Sequence, residues 1–448
     1  MVLEINPKNL EISFADWVEK IPESEIRRLL RYSPKYYFGG GKPGLLPVQT
    51  FHKIIEEIVV DEKKLLRENS TRSLDNYNYG KTEGNDDLRE VLAQRLNRKD
   101  KVNCTKDDLV ITTGSQQILY ALNDVLIRPG DIILVPRPTY LGFLRPAEKM
   151  GAKIITLPTD ENGMITEYID VAIKLCKKEF GRNPKVLYVL PYSDNPKGTT
   201  LSNKRKQEII DTVFPHNDIL IIEDAAYKEI QFDDKEYHPL KEHDTENQRI
   251  AYLSSTTKEA ASFRLGYHVL PDRIRDAVIK AKGYYDLCTS EFTQRIASKY
   301  YEKHIDEQIP IIQQGYKLRR DAMVKAVDEF MPEGIFTLPT GGFFVWYETK
   351  DKAFDSKIFV EEALENGMSF VPGYSFFPST GYSITEENSL IHGKTSTNTM
   401  RLGYSLLSPE LITEGIEKLG DLMYESQKRN TKKVKCLGTL EDYSKFWF

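Results

Sequence analysis

The sequence contains few of the residues that build disulfide frameworks or metal centres. Only four cysteines and seven histidines occur among its 448 residues. The cysteines, which form no CxxC pair, are Cys104, Cys176, Cys288 and Cys436. The two closest histidines, His238 and His243, lack the i, i+4 spacing that would place both imidazoles on one face of a helix. We therefore expect free thiols, as in a protein of the reducing cytoplasm, and no metal site.

The chain also lacks long apolar runs and a large excess of one charge. No apolar run approaches the roughly 18 residues that a membrane helix needs, and the N-terminus has neither the basic nor the apolar region of a signal peptide. Sixty-two lysines and arginines oppose 67 aspartates and glutamates, which gives a net charge of −5. A dedicated nucleic-acid binder would usually show a basic excess. These absences predict a cytoplasmic protein without a membrane or nucleic-acid partner.

What the sequence does contain is a globular composition and a regular alternation of segments. Hydrophobic residues make up 40% of the chain and charged residues 29%, as in other folded proteins. Between about Leu109 and Leu270, short β-branched apolar runs alternate with helix-like stretches. The apolar runs span residues 132–135, 154–157, 186–190, 219–222, 250–253 and 267–270. This alternation indicates an α/β fold with a mainly parallel sheet that is covered on both faces.

The pattern changes beyond about Gly315, where the strands and helices suggest a smaller α+β unit. The predicted division is into an N-terminal arm that joins this unit (1–51), a large domain (52–315), the small domain (316–427) and a tail (428–448). Residues 378–399 form a polar, turn-rich insertion, which we interpret as an exposed loop or a lid. The tail ends in aromatic residues, which we expect to dock on this chain or on a partner.

Polar residues that can do chemistry follow three of the predicted strands. Asn195 comes after the third apolar run, Asp224 and Tyr227 after the fourth, and Ser255 and Lys258 after the fifth. Ligands of open parallel sheets bind beyond the carboxyl ends of the strands, so we expect these side chains at one edge of the sheet. Taken singly, each has an ordinary alternative. A lysine is usually a solvated charge, Asp224 is compatible with a helix N-cap, and Asn195 begins an Asn-Pro turn.

A turn of small and polar residues, Gly114-Ser115-Gln116, opens a predicted helix upstream of these positions. Such a turn can bind phosphate through free N–H groups and the helix dipole, although an ordinary strand-to-helix turn has the same composition. Together, the turn and the strand-end residues match what pyridoxal 5'-phosphate (PLP) requires. A lysine amine forms the Schiff base, and a carboxylate keeps the pyridine nitrogen protonated. Asparagine and tyrosine side chains can hydrogen-bond the ring hydroxyl.

From about Gly39 to Leu422, the sequence resembles the fold-type I, aspartate-aminotransferase-like PLP enzymes of class I and II. The motifs that carry the resemblance, in order, are Tyr79-x4-Gly84-x3-Leu88-Arg89, Gly114-Ser115-Gln116, Pro138-Thr139-Tyr140, Asn195-Pro196-x-Gly198, Asp224-x2-Tyr227, Ser255-x2-Lys258, Arg264-x-Gly266-Tyr267, Pro339-x-Gly341-Gly342-x-Phe344-x-Trp346, Val371-Pro372-Gly373 and Met400-Arg401-Leu402. The resemblance implies a large PLP-binding domain, with a mainly parallel (mixed) seven-stranded sheet sandwiched by helices, and a smaller α+β domain.

The resemblance also implies a role for each matched residue. Lys258 would be the catalytic Schiff-base lysine, and Asp224 would hold the pyridine nitrogen. Tyr140 would stack on the ring, while Asn195 and Tyr227 would bind its oxygen. The phosphate would be held by Gly114, Ser115, Gln116, Ser255, Arg264 and, from the neighbouring subunit of a homodimer, Tyr79. The five-residue segment between Lys258 and Arg264 is shorter than is usual in the family.

Two arginines are candidates for substrate binding. The resemblance implies that Arg401, together with Asn195, grips the substrate α-carboxylate through a bidentate pair. Arg27 and Gly40, with its neighbouring glycines, resemble the N-terminal region of the aminoadipate, kynurenine and aromatic aminotransferase subgroup. In that subgroup the N-terminal arginine can meet a side-chain carboxylate, and the glycines leave room for a large side chain. Alternatively, Arg27 lies on a solvated helix face and the glycines form a simple turn.

The expected activity is transfer of an amino group from an aromatic or 2-aminoadipate-type L-amino acid to a 2-oxo acid such as 2-oxoglutarate. A lyase, synthase or oxidase on the same fold is an alternative, because the same carbanion can eliminate, cyclise or meet oxygen. A non-catalytic PLP-binding regulatory protein is a second alternative. The full set of cofactor residues counts against it, and the sequence shows no DNA-binding extension before Phe38.

Overall fold

The computed structural model describes residues 12–71, 75, 77–393 and 395–437. The expectation that the terminal aromatic residues of the tail dock on this chain or on a partner therefore lies outside the described residues. The described part of the chain forms thirteen α-helices and seventeen β-strands, together with short 3-10 helices.

The helices are α1 (Trp17–Lys20), α2 (Glu25–Leu29), α3 (Val48–Arg67), α4 (Asp86–Asp100), α5 (Ser115–Leu126), α6 (Leu141–Lys149), α7 (Glu167–Phe180), α8 (Asn203–Val213), α9 (Asp272–Tyr285), α10 (Glu291–Lys303), α11 (Ile305–Phe330), α12 (Ser356–Glu365) and α13 (Pro409–Leu437). None of these helices is long and apolar enough to cross a membrane. The strands are β1 (Tyr36–Tyr37), β2 (Leu109–Thr112), β3 (Ile132–Pro136), β4 (Lys153–Leu157), β5 (Thr159–Asp160), β6 (Gly163–Met164), β7 (Val186–Val189), β8 (Leu220–Asp224), β9 (Ile250–Ser255), β10 (Gly266–Val269), β11 (Gly334–Phe336), β12 (Phe344–Thr349), β13 (Met368–Ser369), β14 (Val371–Pro372), β15 (Tyr382–Ile384), β16 (Leu390–His392) and β17 (Thr399–Gly403).

A nine-stranded sheet dominates the described fold, in the order β16-β15-β4-β3-β7-β8-β9-β10-β2. The six strands from β15 to β9 are parallel, whereas β10 runs antiparallel to both of its neighbours and β16 runs antiparallel to β15. The expectation of a large, mainly parallel mixed sheet is confirmed. The seven strands from β4 to β2 form the expected sheet, and β15 and β16 extend it at one edge.

Residues of the parallel strands alternate between two buried faces of this sheet. In β3, Ile133 and Val135 pack in one apolar cluster with residues of α5 and α6, whereas Ile132 and Leu134 pack in another with residues of α7 and α8. Because helices cover both faces, neither set of side chains meets water. This is why the strand is apolar throughout rather than alternating with polar residues.

The insertion at 378–399, which we interpreted as an exposed loop or a lid, instead contains a hairpin that joins the edge of the large sheet. Its first strand, β15, pairs in parallel with β4, and Ser383 Oγ lies 2.9 Å from Thr156 Oγ1. Apolar and polar residues alternate in β15, while Asn388 takes the left-handed φ of +55° that the turn requires. Most polar residues of the insertion thus lie in the turn between β15 and β16 and on either side of the hairpin, whereas β16 itself has the sequence Leu-Ile-His.

A second, four-stranded antiparallel sheet has the order β11-β12-β17-β14. It packs with α12 and α13 in an apolar cluster that also includes Leu29, Tyr36 and Phe38 from the N-terminal segment. Helix α11 connects the two parts of the molecule, because Ile309 belongs to a cluster of the large unit and Ile312 to that of the small unit. The predicted domain boundary at 315/316 falls within this helix, and the domain division stays a prediction.

Candidate active site

A cavity of about 170 Å³ lies beyond the carboxyl ends of β7, β8 and β9. Nine residues that the sequence singled out line it: Arg27, Ser115, Gln116, Tyr140, Asn195, Asp224, Tyr227, Lys258 and Arg264. These residues come from well-separated parts of the chain. They meet because consecutive parallel strands all deliver their following loops to the same edge of the sheet.

Lys258 is half-buried and follows β9 at the floor of the cavity. Its Nζ lies 4.5 Å from the centre of the Tyr227 ring. Burial lowers the pKa of the Lys258 amine, although the nearby Tyr140 and Asp224 oppose this shift. A lower pKa increases the neutral fraction of the amine, which is the form that acts as nucleophile or base.

Asp224 is the last residue of β8 and is buried. Its Oδ2 accepts a hydrogen bond from the Tyr188 hydroxyl at 2.7 Å, and its Oδ1 accepts one from the Ala226 N–H at 3.3 Å. Burial raises the pKa of this carboxyl, whereas those hydrogen bonds and Lys258 lower it. A turn follows Asp224 rather than a helix, so the helix N-cap alternative is wrong. The carboxylate is instead available to a cationic group in the cavity.

Gly114 lies in the turn for which the sequence predicts phosphate binding. It has a φ of +74°, which glycine adopts readily, and it immediately precedes α5. A Cβ at this position would lie 2.5 Å from Arg264 Nη2, so the absence of a side chain lets the guanidinium approach the turn. Backbone N–H groups in the first turn of α5 have no intrahelical acceptors, and together with this cation they suit an anion.

Ser255 lies beside the cavity rather than in its lining. Its Oγ is 2.7 Å from Thr257 Oγ1 and accepts a hydrogen bond from the Thr257 N–H at 3.1 Å. The 3-10 helix Ala261–Phe263 and a φ of +52° at Arg264 then reverse the chain within a few residues. The short segment that precedes Arg264 therefore still brings this arginine to the turn at Gly114.

Arg401 is fully buried in β17, directly behind Asn195. Its Nη1 donates to Asn195 Oδ1 at 2.7 Å, and its Nη2 donates to the Gly39 carbonyl at 2.9 Å. The guanidinium carbon lies 3.9 Å from the centre of the Phe344 ring. Burial lowers the pKa of Arg401 to about 10, although Tyr227 and Tyr140 oppose this shift. No carboxylate among the described residues pairs with the guanidinium. The guanidinium is thus held in place but remains electrostatically unneutralised.

Glycines in the N-terminal segment allow it to pass closely over Arg401. A Cβ at Gly40 would collide with the Tyr37 hydroxyl, and one at Gly41 would lie 2.6 Å from the Phe344 ring. The glycines therefore do more than form a turn. They bring a backbone carbonyl, that of Gly39, against the buried guanidinium.

Arg27 and Tyr79 occupy different positions relative to this cavity. Arg27, on α2, is exposed to solvent and also lines the cavity. A position on a solvated helix face is therefore compatible with a position at the site. Tyr79 is 81% exposed and lines a separate surface cavity of about 1510 Å³ together with Asn85 and Glu291. Tyr79 is the one predicted cofactor residue that is distant from the Lys258 cavity of its own chain.

Two buried residues that support the phosphate turn escaped the sequence analysis. His268 Nε2 lies 2.8 Å from Thr112 Oγ1, and this hydroxyl donates to the Gly114 carbonyl at 3.0 Å. Burial lowers the pKa of His268 to about 3, so the ring is neutral and Nε2–H is the donor to Thr112. The available signal was a histidine within an otherwise apolar strand, β10, which pairs with β2.

Comparison with known proteins agrees with this arrangement. The sequence profile of the family "Aminotransferase class I and II" matches residues 47–417. Aromatic-amino-acid aminotransferase 1 of Thermococcus litoralis is 35% identical over 436 residues, which cover 95% of this chain and 98% of that protein. The 2-aminoadipate transaminase of Thermus thermophilus is 27% identical and covers 93% of this chain and 98% of its own length.

A solved structure shows the same agreement. The crystal structure of Pyrococcus horikoshii kynurenine aminotransferase, in complex with PMP, has a TM-score of 0.81 and 31% identity, and it covers 94% of this chain and 98% of that chain. The overall fold, the ordered motifs and the family profile therefore lead to one conclusion. This chain belongs to the class I and II aminotransferase family and is a transaminase.

Proposed function

We propose that pyridoxal 5'-phosphate is the cofactor of this aminotransferase and that the cavity at the carboxyl edge of the large sheet holds it. The observation that carries this proposal is the convergence of a half-buried amine, a buried carboxylate and a helix-start turn in one cavity. The Lys258 amine can react with the aldehyde, the Asp224 carboxylate can bind the protonated pyridine nitrogen, and the turn at Gly114 can bind the phosphate. The guanidinium of Arg264, which lies against Gly114, supplies a cation for the phosphate at this turn.

Each end of the cofactor has candidate ligands in this set. Lys258 would hold the aldehyde carbon covalently, and Asp224 would keep a proton on the pyridine nitrogen. Tyr140 would cover the ring face, with Asn195 and Tyr227 at the ring oxygen. The phosphate would be held by Gly114, Ser115, Gln116, Ser255 and Arg264.

The residues of this chain would supply binding and proton transfer. When bound, the cofactor supplies an electron sink that stabilises negative charge at the substrate Cα. Arg401 would bind the α-carboxylate, and its Nε has no hydrogen-bond partner among the described residues. Lys258 would take the Cα proton, and burial favours the neutral amine that this step requires. A fixed carboxylate directs the Cα–H bond toward that amine.

We further propose an aromatic or 2-aminoadipate-type amino donor and a 2-oxo acid acceptor such as 2-oxoglutarate. Arg27 is a cation at the cavity with no carboxylate partner among the described residues, so a side-chain carboxylate of the substrate could pair with it. Leu119 and Tyr192 add apolar surface to the lining. Relatives named as aromatic-amino-acid, 2-aminoadipate and kynurenine aminotransferases support this choice.

A homodimer and a cytoplasmic location belong to the same proposal. Tyr79 is exposed and remote from the cavity of its own chain, as expected of a residue that completes the site of a second copy. Cys104, Cys176 and Cys288 are free thiols, in keeping with a reducing compartment.

Borohydride reduction of the holoenzyme tests the cofactor assignment. Peptide mapping after reduction is expected to recover the pyridoxyl label on Lys258 alone. A label on another residue, or the absence of any label, would overturn the assignment.

A half-reaction screen tests the substrate assignment and the type of reaction. The holoenzyme is mixed with each standard amino acid, 2-aminoadipate and kynurenine, without an acceptor. Transamination predicts conversion of the absorbance to that of pyridoxamine phosphate without release of ammonia. Ammonia together with an oxo acid would indicate a lyase or oxidase, and an unchanged spectrum with every donor would indicate a regulatory protein.

A further inference from the structure

A second cavity, of about 700 Å³, lies between loops of the large sheet and the small sheet. The loops after β3 and β7 contribute Arg137 and Lys197, and the small sheet contributes Trp346 and Glu348. Among the described residues, this cavity shares no lining residue with the one that contains Lys258. The two cavities are therefore lined by different residues.

Two cations of this second cavity lack a carboxylate partner. Arg137 has no hydrogen bond or ion pair from its guanidinium among the described residues, and burial lowers its pKa with no acid to oppose the shift. Lys197 Nζ donates only to neutral oxygens, the Asp160 carbonyl at 2.7 Å and Thr159 Oγ1 at 3.1 Å. Burial also lowers the pKa of Lys197, although the nearby carboxylates of Asp194 and Asp160 oppose this shift. Arg137 is thus the partly buried cation that no acid compensates, and such a cation is costly unless an anion joins it.

Three acidic residues, Asp160, Glu161 and Glu348, line the same cavity, and two of them pair with cations outside it. Both carboxylate oxygens of Asp160 accept hydrogen bonds from Arg205, at 2.7 and 2.6 Å. Glu348 pairs with Lys352 at 2.8 Å. Glu161 accepts a hydrogen bond from Asn162 Nδ2 at 3.1 Å. None of the three carboxylates forms an ion pair with Arg137 or Lys197 among the described residues.

The opposite wall is apolar and aromatic. Trp346 is only 6% exposed and lies beside Phe377, with their ring centres 6.5 Å apart. Phe336 and Leu338 extend this wall. A cavity of this volume, with an apolar wall and a few converging polar groups, has the properties of a small-molecule site. Its chemistry suits a flat apolar group that carries one negative charge.

We propose that this cavity is a second ligand site, specific for an aromatic carboxylate whose anionic group lies between Arg137 and Lys197 and whose ring lies against Trp346. The site is adjacent to the substrate arginine, because Trp346 is paired with Arg401 in the antiparallel register of β12 and β17. Lys197 is likewise two residues from Asn195, which binds Arg401.

Calorimetric titration of the holoenzyme with 3-phenylpropionate tests this proposal. The probe has an aromatic ring and a carboxylate but no amino or oxo group, so it binds without reacting. Wild-type protein is expected to bind it with a Kd of roughly 1 mM or below. Because a charge-assisted hydrogen bond is lost, Arg137→Gln and Lys197→Met should each weaken this binding by about tenfold or more.

Three further variants separate this site from the substrate site and from general destabilisation. In Arg401→Leu, the binding of 3-phenylpropionate that depends on Arg137 should persist. Arg137→Lys should retain most of the wild-type affinity for this probe. Arg182→Gln, which changes an exposed arginine that pairs with Asp131, should have no effect. Absence of binding to the wild type, or binding that is unchanged in both Arg137→Gln and Lys197→Met, would overturn the proposal. So would binding that Arg401→Leu abolishes completely.

Discussion

Among single residues, Lys258 has the most sharply defined expected role. Its amine is half-buried, and burial shifts its pKa toward the neutral form. We expect Lys258→Ala to lower kcat by roughly 10⁴-fold or more, because both the covalent attachment and the general base are lost. A coupled assay of oxo acid formation measures this loss.

The matched control is Lys235→Ala, which removes an exposed lysine outside the cavity. It should retain wild-type kcat, and both variants should keep the circular dichroism spectrum of the wild type. Full activity in Lys258→Ala would show that another residue carries the proton transfer.

Arg401 makes a different prediction, because it is expected to bind substrate rather than to move protons. Its guanidinium is fully buried against Phe344 and held by Asn195 and Gly39. Loss of a charge-assisted pair costs about 1.5–3 kcal/mol, so Arg401→Ala should raise KM for amino acid and oxo acid by about tenfold to a hundredfold. Steady-state kinetics with several donors would measure the change.

Arg401→Lys keeps the charge but cannot form a bidentate pair with a carboxylate, so it should recover only part of the affinity for substrate. An unchanged KM in Arg401→Ala would place the α-carboxylate elsewhere in the cavity.

The placement of the site residues at one edge of the sheet was predictable from the sequence, whereas their contacts with residues of the small sheet were not. Asn195, Asp224 and Lys258 follow consecutive strands, and the strand-end rule alone places them at one edge. By contrast, Arg401 and Asn195 are 206 positions apart and touch through packing of the two sheets. Local periodicity contains no information about such a contact, and only the resemblance to a family indicated a role for Arg401.

At the scale of elements, the phosphate turn rests on the buried pair of His268 and Thr112. The pKa of His268 is lowered to about 3 in the folded state, below its ordinary value of about 6.5 in the unfolded chain. Between these values the unfolded state binds more protons, so stability is lost as the pH falls from about 6.5 toward 3. At pH 5 the loss from this group is about 2 kcal/mol.

His268→Gln removes the titrating ring and keeps a side-chain N–H donor. We therefore expect the free energy of unfolding, measured with urea, to fall less between pH 7 and pH 5 in this variant than in the wild type. The two decreases should differ by about 2 kcal/mol. An equal pH dependence in both proteins would mean that His268 is not buried as a neutral ring.

Helices provide a test of packing that does not involve the site. Gly420, in α13, lies so close to the C-terminus of α11 that a Cβ would collide with the Phe330 carbonyl oxygen. Gly283, in α9, has no described atom within 4 Å of the position of its Cβ. Gly420→Ala should therefore destabilise the fold by about 1–3 kcal/mol, whereas Gly283→Ala should stabilise it by about 0.5–1 kcal/mol.

Chemical denaturation of both variants measures this contrast. A stabilising effect of Gly420→Ala would show that the two helices can separate at little cost.

Element boundaries were mispredicted where tertiary packing overrides local composition. The pattern of the sequence predicts a helix only over 317–330. Helix α11 begins instead at Ile305, although Pro310 and Gly315 lie within the added turns. Ile305, Ile309 and Ile312 are buried, and their packing carries the helix through two residues that disfavour it. The hairpin in the insertion was missed for a similar reason, because its strands are short and gain stability only by pairing with β4.

At the scale of the whole molecule, Tyr79 links activity to assembly. It is 81% exposed, and Tyr77 and Tyr284 are also exposed, at 72% and 88%. Large exposed aromatic side chains are typical of surfaces that meet another protein. We therefore expect a homodimer in which each chain contributes Tyr79 to the cofactor phosphate of the other.

Mixing two inactive variants tests this arrangement directly. Tyr79→Ala chains retain Lys258, and Lys258→Ala chains retain Tyr79, so a mixed dimer contains one site with both residues if Tyr79 acts across the interface. After unfolding and refolding of an equal mixture, half of the dimers are mixed, and activity per chain should reach about one quarter of the wild-type value. If Tyr79 served its own chain, no site in the mixed dimer would contain both residues. Activity would then stay at the level of the separate variants, and the proposed exchange between subunits would be wrong.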